Sequence, residues 1–160
     1  SVLASNPIEA DFLNKRLYPT KHGIRVGRKP GRVMCKAGVF LDNTRKKTVR
    51  DEDVLYSNLL AAMPTSNHVP FLRVYNRLLI AWLRENTTAK KIKVPDYSYL
   101  DGDIHKADET TWSYFRKYYG LDRQDEEDFA SYISDALAKF GVSFVADHVV
   151  MDLLISRDLD

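Results

Sequence analysis

Cysteine is almost missing: among 160 residues there is only Cys35. A disulfide framework within the chain is thereby excluded, and a cysteine-based zinc site would need its other ligands from the scattered His22, His68, His105 and His148 or from carboxylates. Set among Val33, Met34 and Ala37, Cys35 reads as a small buried hydrophobe. No apolar run approaches the roughly 18 residues that a membrane span requires. Ser1 to Pro7 lack the charged and apolar regions of a signal peptide, so a reducing, cytosolic setting fits. Ser1 in place of an initiator Met points to a processed product or a piece of a longer chain. Internal repeats and low-complexity linkers are missing too, and no domain boundary is marked.

Negative charge is absent from one long stretch. No Asp or Glu falls between Phe12 and Leu41, while Lys15, Arg16, Lys21, Arg25, Arg28, Lys29, Arg32 and Lys36 all lie there. The overall charge of +2 therefore hides an asymmetry of +9 over residues 1–50 and −7 over residues 51–160. A basic end suits a polyanion such as nucleic acid, and an acidic remainder suits solvent or a basic neighbour. With 44% hydrophobic and 29% charged residues the composition is that of a globular domain, large enough to bury a core without metals or disulfides.

What is present has clear local patterning. Phe12, Leu13, Leu17 and Tyr18, then Pro19-Thr20-Lys21-His22-Gly23 with its turn chemistry, then Ile24 and Val26 alternating with Arg25, predict a hairpin over residues 11–28. Two strands are not stable alone in water, so the hairpin must lean on the rest of the chain. A turn at Arg28 to Gly31 leads to a short helix over Arg32 to Ala37, closed by Gly38. Val39 to Leu41 form a brief apolar run, and Asn43 to Thr48 an exposed basic loop. From Arg50 the period becomes helical, with Asp51, Glu52 and Asp53 in an acidic first turn and an end near Met63-Pro64. Ser66 or Asn67 is expected to cap the next helix, with Pro70 in its first turn. Its stripe of Phe71, Leu72, Tyr75, Leu78, Leu79, Ala81 and Trp82 makes it the candidate core, with Arg73, Arg77 and Arg84 off that stripe.

A basic connector, Thr87 to Val94, precedes a loop holding Tyr97, Tyr99, Asp101, Gly102 and Asp103. Three more helices are predicted. One runs from Asp108 to Gly120 through Trp112, Tyr114, Phe115, Tyr118 and Tyr119. The next spans about Arg123 to Lys139, acidic from Gln124 to Asp128, with Phe129, Tyr132, Ile133, Ala136, Leu137 and Phe140 on one side, and ends at Gly141. The last, about Ala146 to Arg157, buries Val149, Val150, Leu153 and Leu154. The expected fold is mainly α with a small N-terminal β-hairpin feeding five or six helices. Residues 1–38 form the basic hairpin and passage and 39–160 the helical part, in one continuous unit.

No catalytic constellation emerges. Asp101-Gly102-Asp103 lacks the spaced ligands and glutamate of a calcium loop and reads as a turn. Asp51 to Asp53 and Asp125 to Asp128 sit where a helix N-terminus favours carboxylates, and dipole complementarity accounts for them. His68 reads as a capping or packed histidine. Gly27-Arg28-Lys29-Pro30-Gly31 lacks the spacing and closing Lys-Ser or Lys-Thr of a phosphate loop, and no nucleophile elbow is present. The basic hairpin is the candidate site, because its cations interleave with Phe12, Tyr18 and Ile24. One strand face can then bury while the other presents Lys and Arg to phosphates.

The order of DFLNKRLYP, a turn, GIRVGRKPGRVMCKAG and an apolar helix opened by NHVPFLRVYNRLL resembles the end of the palm and the thumb of positive-strand RNA virus RNA-directed RNA polymerases, in the manner of the nodavirus-like group. ETTWSYFRKYYGL and VADHVVMDLLISRDLD are similar to the thumb helices and terminal segment. In such enzymes the palm ends in a hairpin, motif E or the primer grip, that supports the priming end of the nascent strand. Residues 11–28 look like that hairpin, and Gly27 to Gly38 like the passage into a thumb-like helical domain.

The family's catalytic palm needs an aspartate pair and a Gly-Asp-Asp turn to hold two metal ions, Mg²⁺ or Mn²⁺. Only ten residues precede the hairpin, and Asp101-Gly102-Asp103 is the wrong order and far downstream. The resemblance thus implies a C-terminal fragment or the smaller part of a split polymerase, inactive alone, acting at replication complexes in the host cytoplasm. Its partners would be template and product RNA and the remaining polymerase, with fingers and catalytic palm. Lys15, Arg16, Lys21, Arg25, Arg28, Lys29 and Arg32 would hold RNA phosphates without reading sequence. A stand-alone viral RNA-binding accessory protein, or a helical adaptor using Trp112, Tyr114, Phe115, Tyr118 and Tyr119, are the rival readings.

Overall fold

The computed structural model describes residues 11–12, 15–36, 50–93, 106–143 and 148–159. Ala37 to Thr48, Val94 to His105 and residues 144–147, with the loop and turn expectations that fall on them, lie outside the described residues. The fold is mostly helical with a small N-terminal antiparallel hairpin. Strand β1 (Asp11–Phe12) adds a short edge to β2 (Lys15–Thr20), which pairs with β3 (Gly23–Arg28) through a turn at Lys21 and His22. The helices are α1 (Pro30–Lys36), α2 (Asp51–Ala62), α3 (Leu72–Asn86), α4 (Glu109–Tyr119), α5 (Arg123–Phe140) and α6 (Val149–Leu159). Helix α1 begins earlier than expected because Pro30 occupies a first-turn position that needs no N–H partner.

Helices α4 and α5 begin and end on their local signals. Asp108 accepts from the Thr111 N–H, and Gly120 closes α4 in the left-handed conformation. Asp122 and Asp125 form a reciprocal capping box at the start of α5.

The core centres on Phe71 and α3. Phe71 is fully buried and meets Phe115, Phe129 and Trp112 with ring centroids 5.4, 5.7 and 6.1 Å away. Leu72, Tyr75, Leu79, Ile80 and Leu83 continue the buried stripe along α3, and Tyr18 of the hairpin and Met34 of α1 join the same cluster. Burying a side chain of this size contributes about 1.5–3 kcal/mol.

The start of α3 departs from expectation. Neither Ser66 nor Asn67 caps it, and Pro70 lies before the helix: the flanking residue is Phe71, at φ 68°. Its N–H donates to Glu126 Oε2 of α5 at 2.8 Å. A carboxylate from a distant helix therefore does the capping, and the aromatic packing of Phe71 offsets a backbone strain of about 1–3 kcal/mol.

Two further expectations are corrected. Cys35 is exposed, since the short α1 turns its other face, with Gly31 and Met34, toward the core. On α6, Val149 and Leu153 are 67% and 42% exposed, and the buried set is Val150, Met151, Leu154 and Asp158. That face is selected by α1, whose Gly31 lies so close to the Leu154 carbonyl that a Cβ there would overlap it. Among the described residues, no helix is long and apolar enough to cross a membrane.

Candidate nucleic-acid interface

The strand register sorts the hairpin's side chains. Arg16 pairs with Gly27 and Tyr18 with Arg25, while Leu17 pairs with Val26 and Pro19 with Ile24. Directly opposed residues share a face. One face, with Arg16, Tyr18 and Gly27, is buried against the helices. The other presents Leu17, Pro19, Ile24 and Val26, half-buried apart from the exposed Ile24, with Lys15 and Arg28 at one end. The expected division, apolar face in and cations out, is reversed in the middle of the hairpin.

Arg16 and Lys29 accordingly do not present their charge to solvent; they are 3% and 4% exposed. The Arg16 guanidinium donates to Asp158 Oδ1 of α6 at 3.2 Å and lies over the Tyr118 ring at 4.1 Å. Asp158 also accepts from Tyr119 Oη at 2.6 Å and from the Gly31 N–H at 2.8 Å. Burial, then the neighbouring Tyr18 and Asp158, push the Tyr119 phenol far up, so it remains a donor. This cluster joins hairpin, α1, α4 and α6. Arg32 is half-buried on α1, and Arg28 donates from Nε to Thr65 Oγ1 at 3.1 Å.

Lys21 and Arg25 meet Lys106, from the segment before α4, around a cleft of about 390 Å³ that His22, His68 and Asp108 also line. The turn is held rigidly there. The Lys21 N–H donates to Asp108 Oδ2 at 2.9 Å, and Thr111 Oγ1 to the Pro19 carbonyl at 2.8 Å. Although burial opposes charge on Asp108, the N–H groups of Lys21 and Thr111 hold its carboxyl below the usual range. Lys106 was not legible as part of a site, because it enters by tertiary placement, far from the basic stretch.

His68 is packed, as expected, and 2% exposed. Its Nε2 lies 2.8 Å from the Val26 carbonyl, so the ring donates from that atom, and Nδ1 has no partner. Burial, reinforced by Arg25, pushes its pKa down to about 4. The imidazole is neutral at physiological pH and adds no charge to the cleft. Gly27 makes this contact possible. A Cβ there would lie 2.7 Å from Val69 Cγ2 and 2.8 Å from His68 Nε2.

Two acidic clusters do more than complement a dipole. Asp53 is buried, accepts from Arg50 Nε at 3.1 Å and takes the Lys90 N–H at 2.9 Å, tying the 87–93 connector to α2. Glu126 caps Phe71 as described. Trp112, Phe115 and Tyr119 are buried, so the aromatic set is largely spent in the core. Among the described residues no group of three or more His, Cys, Asp or Glu is placed to hold a metal ion. Compared with family models, curated proteins and solved structures, the chain matches none.

Proposed function

We propose that this chain is the C-terminal palm and thumb portion of a viral RNA-directed RNA polymerase of the positive-strand, nodavirus-like kind, gripping template and product RNA and positioning the primer end. The observation that carries this reading is the two-sided hairpin. Its inner face is locked to the helices, while Leu17, Pro19, Val26 and the 52% exposed Ile24 face outward beside Lys15 and Arg28. A hairpin parted from its palm leaves such an apolar face in need of cover. The remaining polymerase would dock there, in the same precursor or as a separate chain, bringing the catalytic aspartates and their Mg²⁺ or Mn²⁺. This chain alone is inactive. RNA phosphates would sit on Lys21, Arg25 and Lys106, with Lys15, Arg28 and Arg32 as outlying contacts. Such contacts set position without reading bases.

The test has two parts. Intact mass and copurification from the native source should yield a longer precursor or a partner bearing the Gly-Asp-Asp turn. A lone 18.4 kDa species would instead make it a stand-alone RNA-binding accessory protein. Separately, Lys21→Ala with Arg25→Ala should weaken binding to RNA of any sequence and lower the slope of log affinity against log salt by roughly 1–2. An unchanged slope would remove the phosphate role from the hairpin cleft.

A further inference from the structure

A second cleft, of about 360 Å³, adjoins the first and shares Lys106 with it. Arg73 and Arg77 reach it from α3, and Arg123 from α5. These arginines are remote in sequence from the basic N-terminal stretch. Four cations face one acid, Glu126, whose carboxyl is half-buried, pushed up by burial and committed through Oε2 to the Phe71 N–H. Two of the cationic side chains are held in place. Arg123 lies over the Trp112 ring at 5.2 Å, and Arg73 Nη1 donates to the Asn67 carbonyl at 3.3 Å.

Arg73 and Arg77 are four residues apart on one helix, a spacing at which like charges repel. Burial, and then the charge of Arg77, hold the Arg73 guanidinium below its ordinary value. Such crowding of like charge is unfavourable in the free protein, and a bound polyanion would relieve it. The ion pair of Arg123 with Glu109, at 2.9 Å, is exposed and therefore weak. It can be exchanged for a ligand.

We propose that this cleft binds a compact oligophosphate, the triphosphate group of a nucleotide. The charge density of the cleft points to a compact ligand. Three surplus positive charges converge on one small volume, whereas a nucleic-acid backbone spreads about one charge per 3.4 Å along each strand. Guanidinium groups suit the fork geometry of phosphate oxygens, and pockets of this size lie in the range that takes small ligands. The triphosphate could belong to a free nucleotide or to an RNA 5′ end. The proposal does not depend on the hairpin cleft holding RNA.

Calorimetric titration of the full chain with inorganic tripolyphosphate, at fixed ionic strength, should give saturable 1:1 binding. Arg77→Ala and Arg123→Ala should each weaken it roughly tenfold. Lys21→Ala with Arg25→Ala should leave it within about twofold, as those side chains line the other cleft. Glu126→Gln should tighten binding several-fold, because the amide oxygen still accepts the Phe71 N–H while the repulsive charge is gone. Unsaturable binding, equal losses in both sets of variants, or no gain in Glu126→Gln would each overturn the proposal. Competition by a nucleoside triphosphate assigns the free nucleotide, and competition by 5′-triphosphorylated but not 5′-hydroxyl RNA assigns the RNA end. Equal competition by both RNAs, or none from any of these nucleotides, would overturn the triphosphate assignment.

Discussion

Acid should destabilise this protein through His68 in particular. The ring is nearly inaccessible, with one nitrogen bonded to Val26 and the other unpartnered, and its pKa lies at about 4 against an ordinary 6.5. In the unfolded chain the imidazole takes a proton as pH falls through about 6.5. In the folded chain it does not until about 4. The unfolded state therefore binds more protons across that window. Stability from the neutral packed ring is fully present above about 6.5, is lost as pH falls, and is exhausted near 4.

At about 1.4 kcal/mol per tenfold in proton affinity, the loss comes to roughly 3 kcal/mol, a large part of the 5–15 kcal/mol typical of a domain. The assay is urea unfolding at pH 7.5 and 4.5, comparing the wild type with His68→Gln, whose amide can still donate to Val26. Carboxylates held low, such as Asp53 and Asp108, lose stability in both proteins and cancel in the comparison. The excess loss in the wild type should be about 2–3 kcal/mol, a midpoint shift of roughly 1 M urea. Parallel pH dependence in the two proteins would refute a buried neutral His68.

Asp158→Asn should cost about 3–5 kcal/mol in urea unfolding, because it leaves the Arg16 charge buried without its counter-ion. Pairing Arg16→Met with Asp158→Leu should recover part of that loss; a loss under about 1 kcal/mol in Asp158→Asn would mean the pair is not desolvated. Gly27→Ala should lower stability by roughly 1–3 kcal/mol, since Val69, His68 and Tyr18 crowd the new methyl group, and a thermal melt should fall by several degrees. An unchanged melting temperature would show that the loop around Val69 yields freely.

The hairpin, the short basic helix and the ends of α4 and α5 were legible because their signals are local: Asp108, Gly120, the acidic turn after Arg123 and Gly141 act within one turn of the chain. The beginning of α3 was not. Its orphan N–H is met by Glu126, and Ser66 and Asn67, good caps in isolation, are passed over because packing Phe71 among three aromatic rings outweighs them. The same holds for the site. Charge alone marks Lys21 and Arg25 as candidates, whereas Lys106 joins their cleft only through where α4 docks. Arg16 was misplaced because its counter-ion lies 142 residues away, beyond the reach of any spacing rule. The exposed Val149 and Leu153 fail similarly: helical period marks an apolar residue but cannot say which neighbour selects the face.

That long-range bond has a consequence for synthesis. A chain emerging from the ribosome delivers the hairpin long before Asp158, so until that residue appears Arg16 lacks this counter-ion and the Gly31 N–H this acceptor. The basic segment must wait, hydrated and open, for α6. Closing this contact spans 142 residues, with a loop-closure cost of the kind that slows proteins rich in distant contacts. A nascent chain stalled before Asp158 would hold an unlatched cationic segment, exposed to any polyanion nearby, and only the last turn of α6 would draw it in.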